Sequence, residues 1–131
     1  MNKDNQPEKA GINFERVSED VRRTILANSS LLSGKEVSII QLKRGKAIGG
    51  CLHNQDEYFV VLDGCVLVSN GTENTVCMAP DSGIFYSGTP HAFYGTDDSI
   101  IIEWGISEED KKDSKKDEEM ELKVKEFNLL R

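Results

Sequence analysis

Short apolar runs alternate with turn residues along most of the chain, from Ile12 to Trp104. The runs are rich in β-branched and aromatic residues and have no helical period between them, which is the pattern of strands. The clearest runs span residues 37–42, 58–62, 65–68, 75–78, 83–86, 91–94 and 100–104. Asn70-Gly71, between two of them, is a strong hairpin signal. The pattern predicts an all-β fold, an antiparallel sandwich or barrel.

The polar positions divide the chain into three parts. Residues 1–11 are polar and charged with little to bury, so we predict a disordered N-terminal segment. Residues 12–106 contain the strand pattern once, without an internal repeat, and predict one barrel domain. Residues 107–131 form a charged C-terminal arm.

The charged arm has more than one interpretation. Ser107–Glu119 is nearly all Glu, Asp and Lys, which is typical of a solvated helix or a flexible arm. Further on, Met120, Leu122 and Val124 alternate like an edge strand, whereas Met120, Val124 and Phe127 have helical spacing. Either form could dock on the barrel or on a second copy of the chain, and we predict a homodimer.

Composition narrows the class of partner and the compartment. The chain has 131 residues, which suits one domain, and a net charge of −7, which repels nucleic acid. It has no apolar stretch of about 18 residues, so no membrane partner is expected. The N-terminus has no secretory pattern, and the three cysteines form no CxxC pair. We therefore expect reduced thiols and a cytoplasmic location.

Candidate chemistry is concentrated in two short stretches. Cys51 and His53 are two residues apart, so in a strand they share a face. A turn can return Glu57 beside them, and His91 follows Pro90 at the start of a later strand. Two histidines and one carboxylate can bind a divalent metal and leave positions open for substrate. Cys51 could add a soft fourth ligand. A metal-free polar pocket and an exposed rim are the alternatives to a metal site.

The two stretches resemble the two sequence motifs of the cupin superfamily. Its first motif has His-x-His, three or four residues, Glu, six residues and Gly, and the chain has Cys51-x-His53, Glu57 and Gly64 at that spacing. Residues 81–95 resemble the second motif around His91, with Ser87 in place of its Pro and Gly95 in place of its closing Asn. The resemblance covers residues 12–105. It implies a jelly-roll barrel that binds Zn, Fe, Mn or Ni.

A second resemblance concerns residues 37–53, which are similar to the cupin isomerases and epimerases of nucleotide-linked sugars. It implies that Arg22 helps to hold a diphosphate and that His53 or His91 moves a proton beside a keto group. Lys46 would add positive charge at the pocket mouth. Tyr86 and Tyr94 are candidates for the opposite acid, with Tyr94 also a candidate substrate contact.

Three functions remain open from the sequence. The first is an isomerase or epimerase that acts on a carbohydrate or nucleotide-linked sugar by proton transfer. The second is a metal-dependent enzyme, such as a dioxygenase, that uses His53, Glu57 and His91. The third is a barrel that binds a small molecule without catalysis. Metal content distinguishes the second function from the first, and a positive pocket mouth distinguishes the first from the third.

Overall fold

The computed structural model describes residues 14–32 and 34–129, without the side chains of residues 29–31. The N-terminal segment predicted to be disordered lies outside the described residues. The described strands are β1 (Glu15–Glu19), β2 (Arg23–Leu32), β3 (Lys35–Leu42), β4 (Ala47–Leu52), β5 (Glu57–Asp63), β6 (Cys65–Ser69), β7 (Asn74–Met78), β8 (Ser82–Phe85), β9 (His91–Gly95), β10 (Ser99–Ser107) and β11 (Lys115–Lys116). Two helices complete the described part, α1 (Glu108–Lys112) and α2 (Glu118–Leu129).

The strands form two antiparallel sheets that enclose one apolar core. The six-stranded sheet has the order β1-β2-β3-β10-β5-β8, and the five-stranded sheet has the order β11-β4-β9-β6-β7. Side chains from both sheets meet between them, among them Ile40, Phe59, Val66, Phe93 and Ile101. This confirms the all-β, antiparallel jelly-roll architecture predicted from the sequence.

The hairpin predicted at Asn70-Gly71 connects β6 to β7, with Ser69 opposite Asn74 in the register. The Asn70 side chain accepts hydrogen bonds from the backbone N–H groups of Thr72, at 3.0 Å, and Glu73, at 2.8 Å. This local pattern is the reason that Asn is favoured at the start of a turn.

The segment around Met120 and Val124, for which the sequence allowed either an edge strand or a helix, is helical and forms α2. Met120 and Val124 of α2 are 3% and 4% exposed and pack in a second apolar cluster with Ala47, Ala92 and Tyr94. These apolar positions are therefore covered by the chain's own barrel, and the homodimer stays a prediction. Among the described residues, no helix is long and apolar enough to cross a membrane.

Two adjacent glycines of β4 allow close approach on both sides of the strand. Gly49 has φ +122°, and a Cβ there would lie 2.5 Å from the carbonyl oxygen of His91 on β9. Gly50 has φ +104°, and a Cβ there would lie 3.0 Å from the Cα of Glu121 on α2. Other residues rarely adopt such φ values. The glycine pair thus sets β4 tightly between β9 and the C-terminal helix.

Candidate metal centre

Three side chains converge inside the fold from the starts and ends of different strands. His53 follows β4, Glu57 begins β5 and His91 begins β9. One possible ligand atom from each of the three side chains lies within 4.8 Å of the other two. Among the described residues, this is the group of His, Cys, Asp or Glu side chains that could hold a metal ion. Oε1 of Glu57 lies 2.9 Å from Nε2 of His91 and 3.7 Å from Nε2 of His53. The predicted convergence of the two histidines and the carboxylate is present in the structure.

Two hydrogen bonds between loops hold the histidines side by side. The backbone N–H of Gly88 donates to the carbonyl of His53 at 2.8 Å. The backbone N–H of Ser87 donates to the carboxylate of Asp56 at 2.8 Å. The β4–β5 turn is thereby joined to the β8–β9 loop, which ends at His91. Phe85 then stacks on the His91 ring, with centroids 4.3 Å apart.

The hydrogen bonding of His91 determines which ring nitrogen faces the Glu57 carboxylate when the ring is neutral. Nδ1 of His91 lies 3.3 Å from the carbonyl oxygen of Thr89, and a carbonyl can only accept, so Nδ1 carries the hydrogen. In the neutral ring, Nε2 then presents a lone pair to Glu57. Oε1 of Glu57 is buried and has no well-directed hydrogen bond among the described residues. Two such acceptors 2.9 Å apart need a cation or a proton between them.

The surroundings favour the protonation states that metal ligands require. Burial lowers the pKa of His53, which favours the neutral ring. Burial alone would raise the pKa of Glu57, but the adjacent His91 imidazole, helped by the charges of Lys111 and His53, lowers it below its usual value. Metal ligands must be neutral imidazoles and ionised carboxylates, so this donor set fits a divalent ion.

A second buried carboxyl lies beside the group and was not identified from the sequence. Glu103 on β10 is buried, and burial, reinforced by the charge of Glu57, raises its pKa well above the usual value. The neutral acid is therefore the favoured form. A signal was available, because period-two alternation in β10 places Glu103 on the same face as buried Ile101.

The C-terminal arm contributes a cation to this region. Nζ of Lys111 on α1 lies 2.7 Å from Oε1 of Glu36 on β3. Burial alone would lower the pKa of Lys111, but the carboxyls of Glu103, Glu57 and Glu36 raise it. Lys111 therefore stays protonated and supplies positive charge next to the candidate metal ligands. The sequence does not indicate this position, because a lysine in a charged run is usually solvated.

The arm also contacts one candidate ligand directly. Oγ of Ser114 lies 2.6 Å from Nδ1 of His53, on the side of the ring away from Glu57. The two residues are 61 positions apart in the sequence, and no sequence pattern connects them. Groups that hold the second nitrogen of a metal-binding imidazole fix both the tautomer and the orientation of the ring.

Cys51 lies next to the group without joining it. It is opposite His91 in the β4–β9 register, so both side chains are on the same face of the sheet. Its Sγ is not among the described ligand atoms that lie within 4.8 Å of one another. Burial, followed by the charge of Glu121, raises the pKa of the Cys51 thiol, which favours the protonated form. Its role as a fourth ligand stays a prediction.

The two tyrosines predicted as acids are not part of the convergent group. Tyr86 follows β8 and is 65% exposed. Tyr94 lies on the outer face of β9, under α2, where its ring packs edge-on against Phe127 at a centroid distance of 5.0 Å. The alternation of β9 explains this position, since His91 and Phe93 face inward and Tyr94 faces the helix.

The predicted basic contacts have other partners. Arg22 donates to the carboxylate of Asp20 through Nε and Nη2, and that carboxylate's pKa is held far below its usual value. Nζ of Lys46 lies 3.5 Å from the carbonyl oxygen of Asn128, near the end of α2. Neither residue is in the group formed by the two histidines and the carboxylate. Their roles in substrate binding remain predictions.

Comparison with solved structures identifies the fold. No protein-family model and no curated protein matches the sequence. The chain is similar to a conserved protein of unknown function from Streptococcus pyogenes, with 15% identity, TM-score 0.61, and 77% of this chain and 97% of that chain covered. It is also similar to a sugar phosphate isomerase of the cupin superfamily from Silicibacter pomeroyi, with 20% identity, TM-score 0.60, and coverage of 73% and 71%.

A third similar structure is a salicylate 1,2-dioxygenase variant from Pseudoaminobacter salicylatoxidans. Identity is 12% and the TM-score is 0.60, over 63% of this chain and 26% of that longer chain. At these identities the likeness shows the fold, and the fold is that of a small cupin. Fold and site together define a cupin-fold protein with a buried His-Glu-His group that could hold a metal ion.

Proposed function

We propose that this protein binds one divalent transition metal ion through Nε2 of His53, Oε1 of Glu57 and Nε2 of His91, and acts as an enzyme on a small organic molecule in the barrel. The observation that carries the proposal is the buried Oε1 of Glu57, which faces two imidazoles and has no well-directed hydrogen bond among the described residues. A divalent ion would satisfy all three groups at once.

The residues around the group would determine how such an ion works. When bound, it would act as a Lewis acid that polarises an oxygen of the substrate. Thr89 and Ser114 hold the far nitrogens of the two rings, which keeps both Nε2 atoms directed at Glu57. Imidazole and carboxylate ligands suit Zn, Fe, Mn and Ni, and we propose an ion of this series.

The charges near the group favour a divalent cation. The carboxylates of Glu57, Glu36 and Asp110 and the ammonium of Lys111 leave two net negative charges, with Glu103 favoured as the neutral acid. A divalent ion would neutralise that sum. Because opposite charges attract most strongly where water is excluded, the buried group would hold such an ion firmly.

A second candidate is proton transfer on a sugar derivative without a metal. Two observations favour it: the likeness to a solved sugar phosphate isomerase, and the burial that lowers the pKa of His53 and keeps the ring available as a base. His53 or His91 would then take a proton from a carbon beside a carbonyl group. This candidate shares the barrel and the histidines with the first but requires no ion.

Metal content tests the proposal. Protein purified without a histidine tag or added metal should contain close to one divalent ion per chain by elemental analysis. After chelation, Co²⁺ should restore binding in a calorimetric titration. His91→Ala should weaken that affinity by about tenfold or more, because one of three ligands is removed. Val76→Ala, at an exposed position of β7, is the matched control and should bind as the wild type does.

If the wild type contains no ion and Co²⁺, Mn²⁺ and Zn²⁺ all fail to bind, the metal proposal is overturned. The second candidate is then tested by solvent exchange. Incubation of sugar phosphates in D₂O should place deuterium at the carbon beside the carbonyl group, and His53→Gln should abolish that exchange.

A further inference from the structure

The C-terminal arm runs beside β4 along the whole strand. At the first residue of β4, the side chain of Asn128 hydrogen-bonds the backbone of Ala47. In the middle, the N–H of Asp117 donates to the carbonyl of Gly50 at 2.7 Å. Toward the end, β11 pairs with Leu52 and Cys51. Just beyond the end of β4, the hydroxyl of Ser114 hydrogen-bonds Nδ1 of His53. The arm therefore contacts β4 along its length and also contacts a candidate metal ligand.

We infer that Ser114 is a positioning residue for His53, and that docking of the C-terminal arm is thereby coupled to metal binding at His53, Glu57 and His91. The inference rests on the proposed metal site, because the ion is the ligand to which docking is coupled. It extends the proposed function by assigning regulation of that site to a segment outside the two cupin-like motifs.

The chemistry of the Ser114 hydroxyl permits both states of the ring. A hydroxyl can donate or accept a hydrogen bond. When it accepts from Nδ1–H of His53, the Nε2 lone pair is free toward Glu57, as a metal ligand requires. When it donates to Nδ1, Nε2 carries the hydrogen and has no lone pair to offer a metal ion. The hydroxyl can therefore hold the ring in either tautomer, and the one with Nδ1–H is the form that can bind a metal ion.

The position of that hydroxyl depends on a docked arm. The N–H of Ser114 donates to the carbonyl of Lys111 at 3.2 Å, which connects it to α1. The next two residues, Lys115 and Lys116, form β11 against β4. An undocked arm removes Ser114 and leaves Nδ1 of His53 without this partner. Because coupling between two binding events is reciprocal, an ion that binds more tightly when Ser114 holds the His53 ring must also stabilise the docked arm.

Three variants of the chelated full-length protein test the role of Ser114 through Co²⁺ titration. Ser114→Ala should weaken Co²⁺ binding by about 10- to 100-fold, which is the usual effect of removing such a partner. Ser114→Thr keeps the hydroxyl and should restore affinity to within about threefold of the wild type. Lys112→Ala changes an exposed residue of the same arm and is the matched control, with unchanged affinity expected.

Hydrogen exchange tests the coupling itself. Co²⁺ should slow amide exchange over residues 114–128 in the wild type and in Lys112→Ala, and the effect should be lost in Ser114→Ala. The inference is overturned if Ser114→Ala binds Co²⁺ as tightly as the wild type, or if Co²⁺ leaves exchange in the wild-type arm unchanged.

Metal binding by the wild type distinguishes an error in the proposed metal site from an error in the role of Ser114. If the wild type binds no ion, both the metal site and the coupling are overturned, whatever the variants do. Positioning of His53 is then judged without metal, by long-range ¹H–¹⁵N spectra of the imidazoles. Ser114→Ala should change the Nδ1 shift of His53 and leave that of His91 unchanged; an unchanged His53 excludes a positioning role as well.

Discussion

Asn128 hydrogen-bonds both backbone groups of Ala47. Its Oδ1 accepts from the Ala47 N–H at 2.7 Å, and its Nδ2 donates to the Ala47 carbonyl at 3.0 Å. One side-chain amide thus takes the place of a neighbouring strand at the start of β4. Asn128→Ala should lower the free energy of unfolding by about 1–3 kcal/mol, because buried Ala47 is left with unpaired groups. Urea unfolding measures the loss, and Asn54→Ala, at an exposed turn, should be neutral; equal effects of the two variants would contradict the prediction.

Cys51→His should create a fourth ligand for the proposed metal ion. The position is opposite His91 in the register, so a histidine there faces the same site. We expect Co²⁺ or Ni²⁺ affinity to rise about tenfold, or about 1.4 kcal/mol, in a calorimetric titration. Cys51→Ser is the matched control: because burial favours the protonated thiol, its affinity should equal that of the wild type. A large loss in Cys51→Ser would instead identify a thiolate ligand.

Glu103→Gln should change how stability depends on pH. The raised pKa means that the folded protein keeps a proton on Glu103 that the unfolded chain releases above its ordinary pKa, near 4.5. Wild-type stability therefore falls as pH rises from there toward the folded pKa, with a contribution of about 1.4 kcal/mol per pH unit from one proton. The variant lacks this contribution, so the stability of the wild type relative to the variant should fall as pH rises above about 5.

Thermal unfolding in the presence of a chelator measures this difference without interference from metal. Glu108→Gln, at an exposed position of α1, serves as the control and should leave the pH profile unchanged. Parallel profiles for the wild type and Glu103→Gln would show that Glu103 ionises normally in the folded protein.

Lys111 and Glu36 should show energetic coupling in a double-mutant cycle. Lys111→Met leaves the Glu36 carboxylate without its cation, and the pair is only partly exposed, at 30% and 19%. We expect a loss of about 1–3 kcal/mol, below the range for fully buried pairs. Adding Glu36→Gln should recover part of it. The exposed pair Lys123–Glu119 is the control cycle, with coupling of about 0.5 kcal/mol or less by urea unfolding.

The sequence could predict those parts of the site that depend on local pattern. His53 and Glu57 are separated by one turn, and His91 begins a strand that the apolar runs reveal. Strand period and turn length therefore place all three at the same end of a jelly roll. The hairpin at Asn70 follows from the same local rules. These parts of the structure can be predicted without knowing which distant segments pack against each other.

The remaining parts depend on contacts between distant segments. Ser114 and Lys111 lie in a run of charged residues whose usual environment is water, and nothing near them in the sequence indicates His53 or Glu36. Tyr94 could be assigned to a strand, but its face was hidden because both faces of β9 are buried, one by the core and one by α2. When both faces of a strand are buried, its polar and apolar residues do not alternate, so the sequence does not show which face is directed at the core.

The path of the arm along β4 has a consequence during synthesis. Asn128 is 81 residues after Ala47, so a ribosome that adds about 5–20 residues per second needs about 4–16 s between them. During that interval the nascent barrel has an uncovered strand edge, and His53 has not yet met Ser114. Such an edge can pair with other chains, so the half-made protein is the stage at which a chaperone is most useful.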